Sequence, residues 1–503
     1  MEKSTPLYSH TIESAAAGLA SGEFTSLELT NACLDRIADL DGSVHAFVRV
    51  DADLARKHAV GSDERRAAGK TLGVLDGIPY NLKDVYATSD SPTTSSSHML
   101  ENWLAPYDAT VYRLLCQAGA VMLGKTNTDE FTMGVSTETS YFGVTRNPWD
   151  YKRVSGGSSG GPAASMAAHF GMFSVGTDTG GSIRQPAAFC GVVGLRPTYG
   201  RISRFGELAM ASSLDQTGPV TKTVRDAAIV LEALAGHDPL DATSSPEPVQ
   251  HYAKTVGEFL SHDRPLSGLR VGVAKEYFGP GLDPEVEKAT REALVVLEGL
   301  GATMVEVSLP NMEHALAAYY IIAPAEVASN MARYDGIHFG YSVERSPGET
   351  TSRTLYDVYA SSRAQGFGSE VKRRIMLGTH VLSSGYYDEY YAKAEKVRAL
   401  VAQEFAHVFT QVDVLAAPVS VHTAFKVGDK INDPLSLYKE DLLTVPLNIA
   451  GIPGMSVPCG LVNGLPVGLQ LMTDRFDEAT LLNVGAAFEQ ATSHHLLQPT
   501  LLT

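Results

Sequence analysis

The chain has 503 residues, 44% hydrophobic and 19% charged, which is a globular composition with material for a large core. A formal net charge of -17 argues against autonomous nucleic-acid binding, although not against a partner that binds nucleic acid. Four cysteines (Cys33, Cys116, Cys190, Cys459) show neither metal spacing nor a dense disulfide framework, so a reducing compartment, the cytoplasm, is expected.

The opening MEKSTPLYSH lacks an apolar signal segment, and no apolar run reaches the roughly 18 residues of a membrane span, so neither signal peptide nor anchor is expected. Thr25 and Glu28 fit a capping box, and Leu29, Cys33 and Ile37 then recur at helical spacing. Residues 1–70 therefore read as a helical layer. From about 72, short apolar stretches (GAVMLGKT, FSVGTD, GVVGLRP) alternate with glycine turns and helices, an α/β texture.

Gly119-Ala-Val-Met-Leu-Gly124-Lys125-Thr126 matches the P-loop pattern letter for letter. A P-loop needs a strand before the first glycine, a helix after the Lys-Thr and exposed amides between them. Here TVYRLLCQAG reads as a helix and the residues between the glycines as a buried strand, so the order is inverted and nucleotide binding is rejected.

Twelve of the 46 glycines fall in residues 154–206, so local backbone geometry is being specified there. Within that stretch Gly156-Gly157-Ser158-Ser159-Gly160 matches G-x-S-x-G, the nucleophile elbow, which needs strand-turn-helix context and a later histidine. The preceding NPWDYKRV reads as a turn-rich loop, against an elbow, and apolar sequence resumes directly in PAASMAAHFGMFSVG, against a flexible linker.

Residues 237–268 read as a surface excursion rich in Pro, Ser and Asp. Strand (269–274), helix (284–300) and strand (303–309) then continue the sheet. A long helical stretch covers 382–411, Asn463-Gly464 marks a hairpin, and a last helix spans about 478–491. One α/β domain is expected over 1–503, with 71–236 as its core and 269–503 as the remaining sheet and helices.

Ser182 follows Gly180-Gly181 in GTDTGGSIRQPAAFCG, 24 residues after Ser158; Lys83, in GIPYNLKDVYAT, stands 75 residues before Ser158. Glycines before a serine let backbone amides approach a ligand, as an oxyanion hole requires. Alone, a lysine is usually a solvated residue and a Gly-Gly-Ser usually a turn. Together, in this order and in these settings, they resemble the amidase signature family over essentially the whole chain.

That resemblance implies a large mixed β-sheet covered by helices on both faces. It implies Ser182 as nucleophile, Ser158 as the bridging serine behind a cis Gly157–Ser158 bond, and Lys83 as base. A lysine has a pKa of ~10.4, so it must be buried to supply neutral amine. The amides of Thr179, Gly180, Gly181 and Ser182 would cradle the oxyanion. Asp178 and Arg184 are expected to hold the loop, and Cys190, among apolar neighbours, to be an inert thiol.

Further stretches (TDEFTMGVSTETSYFG, EVKRRIMLGTHVLSSGYYDEYY, LLTVPLNIAGIPGMSVPCG) are similar to the A-subunit branch of the tRNA-dependent amidotransferases. The similarity implies a glutaminase in a heterotrimer with B and C subunits. Ammonia would pass to the B subunit, which uses ATP and Mg and holds the mischarged tRNA. No cofactor or metal is expected in this chain. Arg374 would hold the glutamine carboxylate, with Arg373 as the alternative, and Asp441 the amino group. Pro162 and Thr139 depart from the residues common in that branch. The alternatives are a stand-alone amidase and a silent scaffold subunit. Glu-tRNA(Gln), Asp-tRNA(Asn) or both stay open as acceptors.

Overall fold

Alternation along one strand shows how the core is divided. In Val414–Pro418, Val414 and Ala416 pack into one large apolar cluster, whereas Leu415 and Ala417 pack into another. Successive strand residues point to opposite faces, so a sheet with a core on each side separates the two clusters. The first lies under helices that include 12–21, 26–44, 160–167, 224–234 and 478–491, the second under 315–330, 392–408 and 445–450. This is the expected mixed sheet with helices on both faces, in a computed structural model that describes residues 6–345 and 354–500.

The strands are β1 (Phe47–Val50), β2 (Pro79–Lys83), β3 (Val121–Thr126), β4 (Arg146–Asn147), β5 (Asp150–Val154), β6 (Phe173–Thr177) and β7 (Val193–Arg196), followed by β8 (Thr217–Thr221), β9 (Arg270–Ala274), β10 (Thr303–Val307), β11 (Val414–Pro418), β12 (Gly454–Val462) and β13 (Leu465–Met472). Eleven form one sheet in the order β1-β3-β2-β6-β8-β7-β12-β13-β11-β9-β10, and β4 pairs only with β5. Strands β2 and β6 are parallel, Leu82 opposite Val175, so their carboxyl ends, Lys83 and Thr177, emerge at the same edge. Ligands of open α/β sheets bind outside such ends.

Several local expectations hold. Thr25 and Glu28 close a capping box on helix Ser26–Val44. Asn463 (φ 53°) and Gly464 (φ 78°) turn β12 into β13, the positive φ pair of a tight hairpin. The last helix, Glu478–Ala491, falls where one was expected.

Other segments differ. The N-terminal layer is not helical throughout, because Phe47–Val50 pairs with β3 as an edge strand. The 237–268 segment carries a helix, Tyr252–Phe259, whose Tyr252 and Val256 are buried. The expected helix over 382–411 is a π-helical turn, Tyr387–Tyr391, followed by helix Ala392–Val408. NPWDYKRV is not a loop but the hairpin β4–β5, two-residue and five-residue strands too polar to show apolar periodicity.

Lys125 shows why the P-loop match carries no phosphate chemistry. It lies on fully buried β3, after helix Thr110–Gln117, and donates to the Tyr86 carbonyl (2.7 Å) and Thr93 Oγ1 (2.9 Å). Burial pushes its pKa down to about 8, against the pull of Asp84. Lys125→Met should cost roughly 1–3 kcal/mol in chemical denaturation, the cost of orphaned buried acceptors. ATP should bind neither the wild-type chain nor the variant in calorimetry; ATP binding lost on substitution would reverse this assignment.

Candidate active site

The glycine-rich segment bends the chain from β5 into helix Gly160–Ala167 under tight constraint. A Cβ on Gly157 would overlap the Asp129 carboxylate and lie 2.5 Å from the Ser136 nitrogen, so only glycine fits. Asp129 in turn accepts from the amides of Thr137 (2.9 Å) and Thr139 (3.3 Å) and from Thr139 Oγ1 (2.9 Å), fixing the wall behind Gly157. The Gly157 amide donates to Gln185 Oε1 (3.0 Å), and the Gly157–Ser158 peptide is cis.

The turn aims Ser158 at Lys83. Lys83 Nζ donates to Ser158 Oγ (2.8 Å), Ser159 Oγ (2.8 Å) and Thr177 Oγ1 (2.7 Å). Strand-turn-helix context is present, therefore, but β5 lies outside the main sheet and the Ser158 hydroxyl bonds a lysine, not a histidine. Burial pushes Lys83 down to about 7, against the pull of Glu207, Asp129, Asp178 and Asp215. A lysine so poised exchanges protons at neutral pH.

Ser182 lies in the loop after β6, tied to the serine turn by the Ser159 amide donating to the Ser182 carbonyl (3.0 Å). Among the described residues no hydrogen bond joins the Ser158 and Ser182 hydroxyls. Lys83 and Ser158 are fully enclosed, whereas Ser182 is 7% exposed, so of the three it is the one open to an incoming ligand.

Asp178 sets the shape of this loop. Its carboxylate accepts from the amides of Gly181 (3.0 Å) and Ile183 (3.1 Å) and from Arg184 Nε (3.1 Å). Burial alone would raise Asp178, but Arg184 and Arg196 hold it far below the usual carboxylate range. Arg184 reaches on to Asn448 and Gln470, so the expected structural role of Asp178 and Arg184 is what the geometry displays. The Gly181 amide, engaged by Asp178, is not a free donor; the amides of Thr179, Gly180 and Ser182 carry no hydrogen bond among the described residues. Gly181 serves geometry instead: at φ 133° its Cβ would overlap Thr444 Oγ1. Thr179 is held by its hydroxyl, which donates to Asp215 Oδ1 (2.7 Å). Cys190 is buried, donates to the Ser155 carbonyl (3.4 Å), and has its thiol pKa pushed up by burial.

Arg374 and Asp441 converge on Tyr320 beside this loop. Thr444 Oγ1 donates to the Gly180 carbonyl (2.6 Å), which places the 439–444 turn against it. Tyr320 OH donates to Asp441 Oδ2 (2.7 Å), and the rings of Tyr320 and Tyr438 stack at 4.1 Å with Arg374 over both. Arg374 Nε donates to Glu370 Oε1 (2.9 Å), while its terminal nitrogens carry no hydrogen bond among the described residues. Burial pushes Asp441 up to about 7, against Tyr320 and Arg374. The Arg374 side chain is 3% exposed and that of Arg373, which pairs with Glu370 from outside, 39%, so Arg374 is the inward member of the pair.

Sequence reasoning missed Ser159, Thr177, Thr444, Tyr320, Glu370 and Asp129. Only Ser159 carried a signal, its adjacency to Ser158. No group of three or more His, Cys, Asp or Glu able to hold a metal occurs among the described residues.

The family model described as Amidase matches residues 28–482. The chain is 52% identical over 498 residues to a Chloroflexus aurantiacus protein named as the A subunit of glutamyl-tRNA(Gln) amidotransferase, covering 99% of this chain and 100% of that one. It is similar to the crystal structure of a Thermotoga maritima protein of the same name, with TM-score 0.77, 40% identity, and 96% and 95% of the two chains covered. It is also similar to the peptide amidase of Stenotrophomonas maltophilia, with TM-score 0.80, 32% identity, and 97% and 98% covered.

Proposed function

This chain belongs to the Amidase family, and from that premise we propose that it is the glutamine-hydrolysing member of a tRNA-dependent amidotransferase, its A subunit. Lys83 takes the Ser158 proton, Ser158 takes that of Ser182, and Ser182 Oγ attacks the glutamine side-chain amide carbon. The amides of Thr179, Gly180 and Ser182 receive the oxyanion. The relay then runs in reverse to protonate the leaving nitrogen, and water cleaves the γ-glutamyl ester.

The observation that carries glutamine over a simple amide is the Arg374–Asp441 pair. Free glutamine bears one negative and one positive charge at fixed distance from its amide, and the two side chains offer the opposite signs beside Gly180. Ammonia leaves for a B subunit that binds ATP, Mg and the mischarged tRNA, with a C subunit joining the two; the chain itself needs no cofactor and works in the cytoplasm. The peptide amidase likeness favours a second reading, an amidase acting alone.

Glutamate release separates them. The chain alone should be slow and should accelerate when the B and C subunits are added; full activity alone would favour the second reading. In the complex, kcat at saturating glutamine, where Asp441 is already engaged by substrate, should rise with pH through about 7, because Lys83 below that pH holds the proton it must accept. A profile flat from pH 5.5 to 8.5, on the scale of ordinary titrations near neutrality, would remove Lys83 as base.

A further inference from the structure

The geometry points to Ser159 and Thr177 as positioning residues that form, with Ser158, a three-oxygen acceptor cage fitted to the protonated form of Lys83. This inference rests on the proposed relay. A neutral lysine amine has two N–H bonds and one lone pair, and an ammonium has three N–H bonds. Three hydroxyl oxygens surround Nζ at 2.8, 2.8 and 2.7 Å, one for each ammonium hydrogen, with the Thr177 carbonyl farther off at 3.5 Å.

The Ser159 hydroxyl proton is already placed. Ser159 Oγ donates to the Thr177 carbonyl (3.0 Å) and receives the Thr177 amide (3.3 Å), so toward Lys83 it acts as an acceptor. Ser159 is thereby removed as a proton source, although it sits as close to Nζ as Ser158 does. When the Ser158 proton moves to Nζ, the amine becomes an ammonium and its three hydrogens find three oxygens. Ser158 then refills from Ser182, and the proton count is unchanged. The cage favours the lysine in the state it occupies while Ser182 attacks, which is where a catalytic interaction is useful.

Four carboxylates also face Lys83: Glu207 and Asp215 from the segment between β7 and β8, Asp129 from the loop after β3, and Asp178 from the loop after β6. None hydrogen-bonds Nζ among the described residues. They stay in place in the variants below, so differences between variants report on the hydroxyls.

The test is the pH profile of kcat for glutamate release by the assembled complex at saturating glutamine, where Asp441, engaged by the substrate amino group, does not set the acid limb. Ser159→Ala and Thr177→Val each remove an oxygen that stabilises the ammonium. Each should move the acid limb to lower pH by about one unit and lower the plateau about 10- to 100-fold, because a weaker base transfers protons less well. Thr177→Ser, which keeps the hydroxyl, should restore both. Should Ser159→Ala fold poorly, the near-isosteric Thr177→Val and its Ser counterpart carry the test alone. A fallen plateau with the acid limb unmoved would make these residues packing groups only, and a wild-type profile would remove the cage. Lys83→Met in the same assay separates the premises. If it is inactive while Ser159→Ala and Thr177→Val match wild type, the relay stands and the cage falls. If Lys83→Met is active, the relay itself falls.

Discussion

Ser182→Ala and Lys83→Met should each lower glutamine hydrolysis by roughly 10⁴-fold or more, and the double variant should be no worse than either alone. Residues that act as one unit fail as one unit, so their losses do not add. The expectation for Ser182 rests on access: it is the member of the three that a ligand reaches, being 7% exposed where Lys83 and Ser158 are fully enclosed. For Lys83 it rests on proton affinity, since burial brings its pKa to about 7 and gives neutral amine at working pH. Methionine matches the lysine stem in the buried space and removes only the amine. The checks are glutamate release and covalent labelling by a diazoketone analogue of glutamine. Labelling that persists in Ser182→Ala would overturn the nucleophile, and losses that add in the double variant would separate Lys83 from the relay.

Arg374→Ala should lower kcat/KM for glutamine about 10- to 150-fold. A charge-assisted hydrogen bond to a carboxylate is worth roughly 1.5–3 kcal/mol, and 1.4 kcal/mol corresponds to a decade. Transamidation with free ammonia as donor should be unchanged, because that route bypasses glutamine capture. Arg374→Lys keeps the charge but loses the planar fork, so it should fall between wild type and alanine. Arg373→Ala removes a side chain that is 39% exposed and should change glutamine use by less than about 3-fold, as exposed ion pairs contribute little. The two donor-dependent rates are measured side by side. If both fall equally in Arg374→Ala, the residue is structural, and a selective loss in Arg373→Ala would move the carboxylate contact by one residue.

Some of this was fixed by local chemistry that a sequence displays directly. The Thr25–Glu28 capping box and the Asn463-Gly464 turn depend on residues a few positions apart, so their spacing is their signal. The inverted element order around Lys125 was legible for the same reason, because helix and strand periods differ. Lys83, Ser158 and Ser182 were marked by their glycine-rich settings and by resemblance. Polar β4 and β5 had no apolar period to display, and β1 was hidden at the end of a helical layer.

The residues proposed to react, and most of the elements that carry them, are thus visible in the order of amino acids. Which of those residues meet, and in what protonation state, is settled only by packing in three dimensions. Parallel β2 and β6 bring Thr177 onto Lys83 across 94 positions of chain, and no short-range pattern encodes that pairing. Packing of helix Ser369–Val381 against Ala315–Asn330 turns Arg374 inward and Arg373 outward, a choice that three consecutive basic residues leave open. The proton affinities of Lys83 and Asp441 arise there too. Each is displaced chiefly by burial, and burial is a property of everything that packs around a group, not of the residues beside it in the chain.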